Sequence, residues 1–246
     1  MGETAIIIAR GGSKRIPRKN LTMIEGHPLI WWQIRHIKSC RLIDKVYLST
    51  DDDEIATVGM DAGAEIIKRP VWPDGSPGNV PFCHAIETLK DIGAEQDRYV
   101  LFLGACILWT IADVMRGITK CDMYSNEFQV GPAIRKNDYV FHEIDHRGFM
   151  NFKMMENRPG MYAVTPGSGW VVMPTKLYLD FNYQGTGVCQ ILSDLAEFTN
   201  KPGNHLDINV PVWVEQWQIF DLDFPRDLEV VEYFFKKHVM EEINVL

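Results

Sequence analysis

Apolar and polar positions along this chain follow two alternating rhythms. Ile6, Ile7 and Ile8 form an unbroken β-branched run, the pattern of a strand covered on both faces of a parallel sheet. His27-Pro28-Leu29-Ile30 opens a helix with Pro28 near its first turn, and Ile30, Ile34 and Ile37 mark its inner face. Residues 45–49 read as a short strand, 51–61 as a helix and 65–67 as another short strand. Residues 69–80 carry Pro70, Pro73, Pro77, Gly75 and Gly78, which predicts a loop. A helix over 81–91, a strand over 99–103 and a helix over 111–119 follow. Between about 130 and 169 the periodicity fades into a polar, aromatic stretch with Tyr139, Phe141, Phe149, Phe152 and Tyr162, expected to be an insertion acting as lid or dimer contact. Residues 170–173, 210–214 and 219–222 return as strands, and Pro225 opens a terminal helix with Leu228, Val231 and Phe235 on one face. Repeated β-α-β over 1–246 implies one α/β domain with a doubly wound, mostly parallel sheet. Ligands on such sheets lie beyond the carboxyl ends of the strands.

The first strand runs into Arg10-Gly11-Gly12-Ser13-Lys14-Arg15-Ile16-Pro17-Arg18-Lys19-Asn20. The glycine pair permits a tight turn and close backbone approach, and five cations surround it. The whole chain has a formal net charge of -8, so bulk composition does not account for this cluster. Backbone N–H groups in such a turn, together with the positive end of the following helix, suit a small polyanion such as a nucleoside triphosphate. The turn lacks the four-residue spacer of a Walker loop and the G-x-G-x-x-G spacing of a dinucleotide site, which disfavours a nicotinamide cofactor. The acidic balance argues against a general nucleic-acid surface. The five cysteines are dispersed and include no C-x-x-C pair, so neither a disulfide framework nor a zinc site is expected. A reducing, cytoplasmic compartment is, and the chain shows no membrane-spanning run and no signal peptide.

Further candidates lie downstream. In an extended Phe220-Asp221-Leu222-Asp223, the two aspartates project to one side and suit Mg²⁺, or else Asp223 caps the terminal helix. Asp51-Asp52-Asp53-Glu54 reads as a strand end and acids on a helix first turn rather than as a metal site. Arg69-Pro70 falls at a strand end facing the same edge as the basic loop. The seven histidines show no ligand spacing.

Ala9 to Asn20 resembles the N-terminal signature of the acylneuraminate cytidylyltransferases, the CMP-sialic acid, CMP-pseudaminic acid and CMP-3-deoxy-octulosonate synthetases. Ser49-Thr50-Asp51 with Ile55-Ala56, Arg69-Pro70, His84-Ala85-Ile86-Glu87, and Asp221-Leu222-Asp223 with Asp227-Leu228 are similar to further motifs of that family, in the same order. The resemblance implies a Rossmann-like nucleotidyltransferase domain, usually a homodimer. It also implies transfer of CMP from CTP to an acidic 2-keto-3-deoxy sugar, releasing pyrophosphate. By the same resemblance Ala9, Arg10, Gly11, Gly12, Ser13, Lys14, Lys19 and Asn20 bind the nucleotide, with Arg69 near it. Lys19 would stabilise charge on the transferred phosphoryl group, with Arg10 and Asp223 beside it, and Asp221 and Asp223 would hold Mg²⁺. The chain departs from the family at Gly104-Ala105-Cys106-Ile107-Leu108, where a Q-P-T-S-P or A-T-A-P segment is usual. A sugar-binding arginine stretch is replaced by Val164-Thr165-Pro166-Gly167-Ser168-Gly169, with Arg158 upstream. Two alternatives therefore stand beside the cytidylyltransferase: a nucleotidyltransferase with another base or sugar, and a nucleotide-binding homologue without turnover.

Overall fold

The computed structural model describes residues 2–73, 80–126, 129–135, 141–144, 150–153, 162–164, 169–175 and 209–243. The β-branched run forms strand β1 (Glu3–Ala9), with Ala5, Ile6 and Ile7 fully buried. Each such isoleucine contributes about 2 kcal/mol of burial free energy. Its side chains alternate between two cores. Ala5, Ile7 and Ala9 meet helix α1 (Leu29–Ser39), while Ile6 meets helix α3 (Val80–Asp91) through Phe82, Ala85 and Leu89.

β1 pairs in parallel with β4 (Ile43–Thr50) on one side and β6 (Arg98–Leu103) on the other. β5 (Glu65–Lys68) extends the parallel set beyond β4, and helix α2 (Asp53–Asp61) joins the two. The register aligns Ala9 with Thr50, Ile8 with Leu103 and Thr50 with Lys68. Arg10, Asp51, Arg69 and Gly104 therefore leave adjacent strands at one carboxyl edge. The chain crosses from β5 back to β6 beside β1, so this edge is also a topological switch point.

Four more strands join the sheet: β7 (Gln129–Arg135), β10 (Tyr162–Val164), β11 (Trp170–Pro174) and β12 (Asn209–Trp213). Among the described residues the sheet has eight strands in the order β10-β7-β11-β6-β1-β4-β5, with β12 paired to β7. β11 runs antiparallel to β6, and β12 runs parallel to β7. Helix α4 (Ile111–Met123) and the C-terminal helix α5 (Leu228–His238) complete the layer that holds α1 and α2.

Several expectations need correction. Residues 219–222 do not form a strand: a 3₁₀ turn at Gln216–Ile219 leads into an extended link. A hairpin of β2 (Met23–Ile24) and β3 (His27–Pro28) precedes α1, with Glu25 and Gly26 at positive φ. A 3₁₀ turn at Lys19–Leu21 and this hairpin separate the basic loop from α1, so no α-helix N-terminus follows the loop directly. Within 130–169, β7 and β10 belong to the main sheet, and β8 (Phe141–Ile144) pairs with β9 (Met150–Lys153) as a separate hairpin. Tyr139, Phe149, Arg158 and residues 165–168 lie outside the described residues. No helix among the described residues is long and apolar enough to cross a membrane.

Candidate active site

A cleft of about 540 Å³ opens at the carboxyl edge of β1, β4 and β6. The basic loop supplies one wall through Arg10, Ser13, Lys14, Arg15 and Lys19, with Ala9 and Asn20 at its base. Asp221 and Asp223 face it from the C-terminal link. Asp51, Arg69 and Trp72 form a side lobe, and residues 103–106 close the back.

The loop is held from beneath. Buried Asn20 donates its side-chain amide to the Arg10 carbonyl at 3.0 Å, closing the loop on itself. The Gly11 N–H donates to Asp51 Oδ1 at 2.9 Å, so this amide holds the loop to β4; Gly11 and Gly12 are not among the residues lining the cleft. Arg18, at φ 59, turns away from the cleft and pairs with Asp52 and Glu54. Asp52 in turn caps α2, accepting from the Glu54 and Ile55 N–H groups at 3.0 Å each. Burial pulls the Asp52 carboxyl up, but the Ile55 N–H and Arg18 outweigh it and leave it below the usual range. A methyl on Gly11 would run into the Asp52 carboxylate. Gly11→Ala is therefore expected to destabilise the fold by about 1–3 kcal/mol, read as a lower denaturant midpoint; an unchanged midpoint would refute this packing.

Arg69 is only 5% exposed in its side chain and lies 3.4 Å from Asp51. Burial lowers its pKa against the pull of Asp51, and Arg10 lowers it further. Its guanidinium sits 4.9 Å from the Trp72 ring centroid, and Trp72 meets His84 edge-on. Trp72 was not singled out from sequence; its place three residues after Arg69 is the signal that could have found it. Arg15, also absent from the expected binding set, reaches Asp223 at 2.7 Å.

The chain's two ends meet at Lys19. Its Nζ lies 3.3 Å from Asp223 Oδ1 and 3.7 Å from Asp221 Oδ1. Leu222, between the aspartates, is 1% exposed and pegged in the core, which turns both carboxylates toward the cleft. Asp223 does not cap the terminal helix. The Asp227 side chain does not cap it either; it reaches back to accept from the Asp223 and Phe224 N–H groups at 3.0 and 2.7 Å, holding the link to the turn at Pro225–Asp227. Burial raises the Asp221 pKa, Lys19 opposes this and Asp223 adds to it. Asp221 Oδ1 is buried without a hydrogen-bond partner. Among the described residues no group of three or more His, Cys, Asp or Glu forms an all-protein metal cage. A carboxylate oxygen that makes no hydrogen bond and lies 3.7 Å from Lys19, beside a second carboxylate, fits Mg²⁺, which keeps water and phosphate oxygens in its shell.

The atypical 104–108 segment is split: residues 104–106 line the cleft with no charged side chain, while Ile107 and Leu108 pack into the core. A Cβ on Gly104 would lie 2.9 Å from Ala9 Cβ and 3.0 Å from Asn20 Oδ1. Ile107, Leu108 and Trp109 are buried. Cys106 is 3% exposed, and burial, followed by the nearby Asp221, pushes its thiol well above the ordinary range.

Residues 4–90 match the family model described as Cytidylyltransferase. A pseudaminic acid cytidylyltransferase of Campylobacter jejuni is 48% identical over 118 residues, 47% of this chain and 48% of that protein. N-acylneuraminate cytidylyltransferase A of Danio rerio is 48% identical over 66 residues, 27% of this chain but 15% of that protein. The matches thus span about half or less of these curated relatives. A 3-deoxy-manno-octulosonate cytidylyltransferase of Thermodesulfovibrio yellowstonii is 24% identical over 258 residues, 92% of this chain and 95% of that protein. A solved CMP:2-keto-3-deoxy-manno-octonic acid synthetase complexed with CTP superposes with a TM-score of 0.69 at 15% identity, covering 97% of this chain and 100% of the other. At that identity the superposition shows a shared fold alone. Residues 4–90 of this chain are thus similar to the cytidylyltransferase family model, and the chain carries the α/β fold that solved cytidylyltransferases share.

Proposed function

We propose that this chain transfers CMP from CTP to the anomeric hydroxyl of an acidic 2-keto-3-deoxy sugar of the nonulosonic type. The reading is carried by one observation: a glycine-bearing basic loop faces a carboxylate pair across a single cleft, with Lys19 Nζ 3.3 Å from Asp223. The curated relatives, named for sialic, pseudaminic and octulosonate sugars, support the acidic acceptor.

In this reading Arg10, Ser13, Lys14 and Asn20 orient the triphosphate, and Arg69 lies beside the nucleotide. The sugar hydroxyl oxygen bonds to the α-phosphorus in line, its proton passes to solvent or a base, and the bond to the bridging oxygen breaks to release pyrophosphate. Lys19 stabilises charge growing on the transferred group. Asp221 and Asp223 would hold Mg²⁺, which when bound polarises phosphate oxygens. Assembly as a homodimer belongs to the same proposal.

Mixing the protein with each nucleoside triphosphate, Mg²⁺ and a panel of nonulosonic acids tests this by pyrophosphate release. Release with CTP alone among nucleotides supports it, and release with another base overturns the cytidylyl assignment. The apolar 104–108 segment favours a second reading, a nucleotide-binding homologue without turnover. Tight CTP binding with no release under any acceptor would establish that one instead.

A further inference from the structure

The Asp221–Asp223 link has no regular secondary structure, yet its carboxylates must stand in a fixed position to face the loop. The residues just before it show how. Gln218 is 1% exposed and Asp113, in the first turn of α4, is 2% exposed. The Gln218 amide donates to Asp113 Oδ2 at 2.7 Å, and its own carbonyl oxygen accepts from the Glu215 N–H at 2.8 Å. The same Asp113 oxygen accepts from Thr110 Oγ1 at 2.6 Å, while its other oxygen pairs with Arg116. Arg116 also reaches the Trp213 carbonyl at 3.5 Å.

One buried carboxylate thus ties the start of α4 to Gln218 in the turn at Gln216–Ile219, and Gln218 lies three residues ahead of Asp221. Leu222 in the core and Asp227 beyond fix the rest of the link. We infer that Gln218 and Asp113 are positioning residues that set the register of the Asp221–Asp223 pair toward a divalent ion. This rests on the proposed reading of that pair as the metal site. Neither residue lines the cleft, so their effect on a ligand passes through the link.

The test uses the full chain with Mn²⁺ as the probe, bound in the presence of CTP and followed by electron paramagnetic resonance. Gln218→Met, close in volume but unable to donate, is expected to weaken Mn²⁺ binding about tenfold, the usual scale for groups that orient ligating carboxylates. Metal-free CTP affinity should stay within about twofold, because the loop is untouched. Gln218→Glu sets two carboxylates against each other and should weaken Mn²⁺ at least as much. The double variant Asp113→Asn/Gln218→Glu restores an amide-to-carboxylate bond with its direction reversed, and should recover binding to within about threefold of wild type. Equal Mn²⁺ affinity in wild type and single variants overturns the inference while leaving the metal reading intact. A double variant no better than Gln218→Glu also overturns it. Wild-type protein that binds no Mn²⁺ with CTP overturns the metal reading and this inference together.

Discussion

Lys19→Met lowers turnover by about 10²–10³-fold, the cost of removing one preorganised group aimed at developing charge. It also strengthens Mn²⁺ binding by the nucleotide-free protein. Both results come from one geometry. Without nucleotide, Lys19 lies 3.7 Å from Asp221 and 3.3 Å from Asp223, and Arg15 lies 2.7 Å from Asp223. The carboxylates a divalent ion would use are already neutralised. At about 4 Å two like charges near a protein surface repel by roughly 4 kcal/mol before salt screening, so an arriving cation is opposed by Lys19 itself. In the proposed reading a triphosphate relieves this by drawing the cations to its own oxygens. Metal titrations with and without CTP, beside single-turnover pyrophosphate release, check both halves. Unchanged turnover refutes the assigned role of Lys19. Unchanged nucleotide-free Mn²⁺ affinity refutes the competition between Lys19 and the ion.

The aspartates are expected to part company when replaced. Asp223→Ala removes a proposed metal ligand and a partner of both Lys19 and Arg15, and turnover is expected to fall by about two orders of magnitude or more. Its side chain is 45% exposed, so thermal stability changes little, within about 0.5 kcal/mol. Asp221→Asn abolishes metal-supported turnover too, but raises the melting temperature at neutral pH. The sign follows from burial, which holds the Asp221 pKa above its unfolded value despite Lys19. Such a carboxyl weakens the fold once pH exceeds the folded pKa, and this cost disappears as pH falls below the unfolded one. The advantage of asparagine should therefore fade on acidification. An Asp221→Asn protein less stable than wild type at neutral pH would mean that the Lys19 attraction dominates instead. An active Asp223→Ala variant with unchanged metal dependence would remove the metal assignment.

Local features of the site were legible because neighbours in sequence determine them. The isoleucine run specified β1, the glycines and cations specified the loop behind it, and the acids at 51–54 read as a strand end and a helix first turn, where the structure adds that Asp52 is the cap. The aspartate pair was legible by its spacing, although the reason for its projection was not a strand. That reading failed because the turn at Gln216–Ile219 is set by Gln218 reaching Asp113, 105 positions away. The role of Arg18 was hidden for the same reason. As sequence it was one more cation beside a glycine turn, and only the parallel pairing of β1 with β4 brings it to Asp52 and Glu54. The membership of β7 in the main sheet was equally invisible, since its partners β10, β11 and β12 all come later in the chain.

The contact between Lys19 and Asp223 spans 204 positions of sequence. On a translating ribosome the opening β-α-β units have all emerged long before the second aspartate leaves the exit tunnel. A nascent chain halted anywhere in that interval would display bare cations on a nearly finished scaffold, able to attract stray polyanions yet unable to discriminate among them. In the proposed reading the site is therefore completed in one late step, when the segment bearing Asp221 and Asp223 docks against the loop.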